Sequence, residues 1–211
     1  MYHTSFARFF SRGHHEAEPP GHQRLWARRI ENIMPHNSPI EILWKGRFLQ
    51  MVRRGRWEFA QRIGSSGVVG IIAVTADGRL ILVQQHRLPV GGCVIELPAG
   101  LAGDVSGSEQ ETLELAARRE LLEETGYSGG TWSQSWDGPS SAGLTDEMVQ
   151  LFLARGVRKT GQGGGDASES IVVHEIPLVD LSEFLKGRRA GGMLVDLKVY
   201  LAMCLLSRPG E

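Results

Sequence analysis

The chain has 211 residues, of which 41% are hydrophobic and 22% charged, and its formal net charge is −1. That length and apolar share allow one domain, or one plus a small appendage, and the near-neutral charge excludes the global positive field of a nucleic-acid or anionic-membrane binder. Cys93 and Cys204 make no disulfide framework, which suits a reducing cytoplasm, and the apolar run 194–206 is broken by Asp196 and Lys198, so no membrane span is expected.

Residues 1–33 hold His3, His14, His15 and His22, the pair Pro19-Pro20 and little apolar periodicity, so a disordered extension is expected, with the functional chain beginning near Met34. A targeting peptide is the alternative: Arg8, Arg12, Phe6, Phe9 and Phe10 suggest it, and Glu16 and Glu18 oppose it. Residues 34–62 read as an amino-terminal β segment, with strands at 40–44, 48–52 and 56–62 and a break at Arg54-Gly55.

The remainder, 63–211, reads as the main domain. Apolar runs at 67–75 and 79–85 flank Ala76-Asp77-Gly78, where Asp-Gly predicts a hairpin of two central strands. A short strand at 93–97 is expected to end at Pro98-Ala99-Gly100. Residues 108–125 form the strongest helical pattern, with Ser108 as N-cap, Glu111 completing a capping box and Gly126 as the stop. Then come a Gly/Ser/Trp loop at 128–143, a strand at 148–154, a Gly-rich connection at 160–168, a strand at 170–176, and helices at 181–188 and 194–206. Strands around one strong helix, followed by terminal helices, predict a layered α/β architecture.

Within the strong helix, Glu120, Glu123 and Glu124 fall in an arc of roughly 100°, so their charges face one space. Like charges at such spacing cost about 0.2–0.5 kcal/mol per pair, and a bound cation is a reason to cluster them. Carboxylate oxygens suit hard divalent ions such as Mg²⁺ or Mn²⁺. A solvated acidic helix face is the competing interpretation.

Arg119-Glu120-Leu121-Leu122-Glu123-Glu124-Thr125-Gly126-Tyr127, preceded by Glu111 and Gly100, resembles the Nudix box. Every specified position from Glu111 to Tyr127 matches; the departure is ten residues between Gly100 and Glu111 where the pattern has five. A surface loop insertion explains this, since doubling a flexible loop costs only about 0.6 kcal/mol. The resemblance implies a Nudix α/β/α sandwich with a mixed sheet, joined here to the small amino-terminal antiparallel sheet. It implies hydrolysis of nucleoside diphosphate derivatives with Mg²⁺, or Mn²⁺, held by Glu120 and Glu124, assisted by Glu123 and the Ala99 carbonyl. Glu111 and Arg119 would brace the box by ion pairing.

The flanks Gln84-Gln85-His86-Arg87-Leu88-Pro89-Val90, Glu96-Leu97-Pro98-Ala99-Gly100 and Pro139-Ser140-Ser141-Ala142-Gly143-Leu144-Thr145-Asp146-Glu147 are similar to those of ADP-ribose pyrophosphatases, and the likeness runs from about Ile40 to Leu206. It implies that Glu147 activates water, with Glu123 as the alternative base, that Arg87 contacts phosphate, and that the amino-terminal sheet is exchanged in a homodimer. Trp57 and Phe59 are candidates to stack an adenine, or else core or dimer contacts. His86 and His174 are expected to be structural. Two other readings are weighed: a non-catalytic Nudix nucleotide-sensing module, opposed by the intact glutamates, and an isopentenyl diphosphate isomerase-like enzyme, suggested by Cys93 and opposed by the complete box and Pro139.

Overall fold

The computed structural model describes residues 38–103, 111–165 and 170–207. The expected extension at 1–33, the start near Met34 and the Ser108 cap lie outside the described residues. The chain divides into two compact units. The described part of the smaller comprises residues 38–41 and Arg53–Trp57, where Arg53 Nη2 meets Glu41 Oε2 at 2.7 Å. The larger comprises Ile42–Val52 and Glu58–Glu211. Strands β1 (Ile40–Lys45), β2 (Leu49–Arg54) and β3 (Trp57–Arg62) form a three-stranded antiparallel sheet in that order.

The main sheet is built from β4 (Gly67–Thr75), β5 (Arg79–Arg87), β6 (Gly92–Glu96), β7 (Ala99–Ala102), β8 (Tyr127–Ser128), β9 (Thr131–Pro139), β10 (Met148–Lys159), β11 (Val172–Pro177) and β12 (Leu194–Val195). Its order is β12-β6-β5-β4-β10-β8, with β11 on β5, β7 on β4 and β9 on β10. The β4–β10 and β6–β12 pairs are parallel and the others antiparallel, so the sheet is mixed.

Helices α1 (Leu113–Thr125), α2 (Leu181–Ala190) and α3 (Leu197–Leu206) cover both faces of that sheet. Period-two alternation explains how the same strands serve both cores. Val69, Ile71, Ala73 and Ile81 pack with Ala116, Ala117 and Leu121 of α1. Ile72, Val74, Leu80 and Leu82 pack with Leu181, Leu185, Val199 and Ala202 of α2 and α3. Strands covered on both faces read as continuous apolar runs, which is why 67–75 lacks a polar stripe. Among the described residues no helix is long and apolar enough to cross a membrane.

Four local expectations are corrected. Helix α1 starts at Leu113, not at 108, and Thr112, with extended backbone, accepts from the Leu115 N–H. Glu111 therefore precedes the cap, and its carboxylate takes the Arg119 guanidinium instead of closing a capping box. Pro98-Ala99-Gly100 does not end the β structure: the chain turns at Pro98 and returns as β7 against β4. The 128–143 segment contains β9, because β10 runs to Lys159 and offers it an edge. A bulge sets Leu151 opposite Trp136 but Phe152 opposite Gln134, so Trp132 packs into one core and Trp136 into the other despite their even spacing. Lastly, Leu194–Val195 pairs with β6, and the final helix starts after Asp196, whose carboxylate accepts from the Lys198 N–H.

Candidate active site

The site is organised by the outer edge of β7. Ile71 N–H donates to Pro98 O at 2.8 Å, so the neighbouring Gly70–Ala99 pair is a non-hydrogen-bonded rung of the antiparallel ladder. The N–H and C=O of Ala99 therefore point away from β4, as do those of Leu101 two residues later. Helix α1 supplies their partners. Ala99 N–H donates to Glu124 Oε2 at 3.0 Å, and Leu101 O accepts from Arg119 Nη2 at 2.9 Å. Between them lies Gly100, where a Cβ would stand 1.9 Å from Glu120 Cδ. Glycine here leaves the space that the Glu120 carboxylate occupies against the strand edge; any larger residue would displace that side chain.

Arg119 is the hub of the box. Its Nη1 donates to Glu120 Oε1 at 2.9 Å and to Glu123 Oε2 at 3.0 Å, and Nε and Nη2 each reach a Glu111 oxygen at 3.2 Å. Burial works against the guanidinium's charge, but the hydrogen bonds it donates to Glu111 and the charge of Glu120, joined by Glu123, outweigh it and raise its pKa above the ordinary arginine value.

Strand β5 meets the helix from the sheet. Along its α1 face Ile81 and Val83 are buried apolar residues, and the row then turns polar at Gln85 and Arg87. Gln85 Nε2 donates to Glu124 Oε1 at 3.0 Å, and both side chains are buried, with Glu124 only 5% exposed. Arg87 forks onto Glu96 at 2.7 and 2.9 Å, and Glu96 is 7% exposed.

Glu147 lies just before β10, in a cleft of about 300 Å³ with Gln61, Arg62, Ser65, Ser66 and Val68. Arg62 Nε donates to its Oε1 at 2.8 Å. Val68 pairs with Leu101 on one side and Val149 on the other. Glu147 and the edge that contacts α1 thus hang on one end of β4, two strand spacings or roughly 9.5 Å apart at the backbone.

The fold therefore brings Glu111, Arg119, Glu120, Glu123, Glu124 and Ala99 together. Trp57 lies on β3 in the smaller unit, 46% exposed, and Phe59 is half-buried. Among the described residues no three His, Cys, Asp or Glu side chains form a ready metal cluster. His174 hydrogen-bonds Gln84 at 3.0 Å and packs on Phe184, and His86 is exposed. Gln85, Glu96 and Arg62 carry no role expected from the sequence. The signal for the first two was a polar side chain on the inward face of a buried strand; Arg62 had none, since its partner is 85 residues away.

Residues 65–194 match the profile described as NUDIX domain. The chain belongs to the Nudix family. This Nudix chain is 30% identical over 138 residues to a methanol dehydrogenase activator of Bacillus methanolicus, spanning 65% of this chain and 70% of that protein. It is 41% identical over 96 residues to an ADP-ribose pyrophosphatase of Mycobacterium tuberculosis, spanning 46% of this chain and 44% of the relative's length, less than half of it. A solved structure described as "Crystal structure of ADP compounds hydrolase" aligns with a TM-score of 0.54 at 17% identity, over 70% of this chain and 80% of that one, a likeness of fold. The sheet between helical layers described above is the Nudix α/β/α arrangement.

Proposed function

We propose that this Nudix chain is a divalent-metal-dependent pyrophosphohydrolase, acting in the cytoplasm on ADP-ribose or a related nucleoside diphosphate sugar and releasing a nucleoside monophosphate and a sugar phosphate. The observation that carries the reading is the meeting of two box carboxylates, Glu120 and Glu124, on the two-residue stretch Ala99-Gly100. The donor set fits the ion: it is all oxygen, two carboxylates and the outward Ala99 carbonyl, and Mg²⁺ commonly takes one or two carboxylates and completes its shell with water and substrate phosphate. Glu120, Glu124 and Ala99 O would hold it, with Glu123 beside them.

A bound Mg²⁺ or Mn²⁺ supplies charge neutralisation for the diphosphate and polarises the bond to be split. The protein's own residues do the rest. Glu147 takes a proton from the attacking water, and Arg62 holds its carboxylate in place. Glu123, exposed on α1, is the alternative base. Arg119 braces the box by ion pairs to Glu111, Glu120 and Glu123. Arg87, oriented by Glu96, contacts a phosphate oxygen. Trp57 and Phe59 are the candidates to stack the base. Ile42, Trp44 and Leu49 on the small sheet and Phe48 in its first turn expose apolar surface, which supports association of two copies.

Incubation of the purified protein with ADP-ribose and Mg²⁺ should yield AMP and ribose 5-phosphate, with none formed in EDTA. Failure to cleave ADP-ribose, ADP-glucose and GDP-mannose alike would refute the reading. A single monomeric species in sedimentation at micromolar concentration would remove the dimer.

A further inference from the structure

We propose that Gln85 is the positioning residue for Glu124, fixing that carboxylate for a hard divalent cation by a neutral hydrogen bond from the sheet. The inference rests on the reading of Glu124 as a ligand given above.

Gln85 stands on the inward face of β5, two residues beyond fully buried Val83, and is itself buried. Burying an amide without a partner is costly, so a polar side chain at this position is held there by a specific bond. That bond is Nε2 to Glu124 Oε1 at 3.0 Å, and the donor is fixed by chemistry because an ionised carboxylate only accepts. Ala99 N–H takes the other oxygen at the same distance. These two donors, on different oxygens and from two different strands, define both the plane and the direction of the carboxylate. The Gln85 amide and the Ala99 N–H are neutral, so they orient Glu124 without themselves cancelling the charge a cation needs. A lysine or arginine at 85 would fill the same space and compete with the ion.

Glu124 is the penultimate residue of α1, close to the left-handed Gly126 stop where helices fray, so an anchor from the sheet matters more here than in mid-helix. Groups that orient a metal ligand in this way are typically worth about 10–100-fold in metal affinity.

The test is Mn²⁺ binding to the substrate-free protein, followed by the electron paramagnetic resonance signal of unbound Mn²⁺, for the unsubstituted chain, Gln85→Met and Gln85→Asn. Methionine keeps the volume and removes the donor; asparagine keeps an amide but withdraws it by one methylene. Both should weaken Mn²⁺ binding about 10–100-fold, with kcat at saturating Mn²⁺ within a few-fold of the unsubstituted value. Val83→Ala, which disturbs the same strand face one pleat away, should leave Mn²⁺ affinity within about twofold. Equal affinity in Gln85→Met and the unsubstituted chain overturns the proposal, as does an equal loss in Val83→Ala. Absence of Mn²⁺ binding by the unsubstituted chain overturns the metal reading and this inference with it.

Discussion

Arg119 grips Glu111 through both carboxylate oxygens, each at 3.2 Å, although Glu111 lies eight positions earlier and outside the helix. The same guanidinium bonds Leu101 O on β7, so one planar fork ties the segment before α1, the helix and the sheet edge together. Arg119→Lys keeps the charge and loses the fork. Charged hydrogen bonds in a half-buried setting are worth roughly 1.5–3 kcal/mol each, and lysine recovers part of that, so a net loss of about 1–3 kcal/mol is expected. Urea unfolding with an unchanged slope and a lowered midpoint is the measurement; an unaltered midpoint would mean the fork is ornamental.

Glu120→Gln and Glu124→Gln should each lower kcat by at least about 100-fold and leave the far-ultraviolet circular dichroism spectrum intact, because what is lost is charge toward the metal and not packing volume. Steady-state kinetics with ADP-ribose over a Mg²⁺ series would decide it. Wild-type turnover in either variant would contradict the assignment of that residue as a ligand.

Gly100→Ala tests the same place by shape alone. The new methyl would stand 1.9 Å from Glu120 Cδ, so the carboxylate, tethered by Arg119, has to give way. Expected are a loss of Mn²⁺ affinity of about tenfold, the low end for a disturbed ligand, and a small change in stability. Isothermal titration with Mn²⁺ gives the answer directly.

His174 links stability to pH. Burial, with the Arg188 charge adding to it, holds its pKa below the ordinary histidine value of about 6.5. A depressed histidine pKa means the unfolded chain takes the proton first as pH falls, so stability is fully present above about pH 6.5 and declines through the lowered value. The urea midpoint should drop between pH 7 and pH 5, and His174→Gln should flatten that slope. Parallel slopes in the two proteins would locate the pH dependence elsewhere.

The box helix and the central strands were legible because local signals coincide with the final contacts: Asp77-Gly78 turns the hairpin, Gly126 stops α1, and period-two alternation separates the two cores. From local residue pattern the site was legible only along the helix; Ala99, Arg87 and Glu147 entered through the family resemblance alone. Its other half is the outward edge of β7, four residues whose strand character comes from pairing with β4, so no local propensity marks Ala99 or Leu101 as an edge facing α1. The same holds for β9, which exists because β10 offers an edge and which carries its two tryptophans to opposite faces through a bulge that period counting misses. Gln85 and Glu96 broke the inward apolar pattern, and such breaks are where a functional reading begins.

Glu147 presents the sharpest choice, because Glu123 competes for its task. Glu147 is mostly buried in its cleft and held by Arg62 at 2.8 Å, whereas Glu123 is exposed and pairs with Arg119 at 3.0 Å. A base must be held in one orientation to be effective, which favours Glu147, the less exposed of the two; Glu123, more exposed and next to Glu124 on the box helix, is better placed to assist the metal. If Glu147 is the base, Glu147→Gln should cut kcat by about 10²–10⁴-fold with little change in KM or Mn²⁺ affinity. Breaking its ion pair with Arg62 should cost stability only on the order of 1 kcal/mol, since the pair is partly solvated. Glu123→Gln should instead weaken Mn²⁺ binding and spare most of kcat at saturating metal. Kinetics and Mn²⁺ titration on the two variants side by side assign the roles, and the reverse pattern, with kcat lost in Glu123→Gln and kept in Glu147→Gln, would move the base to α1.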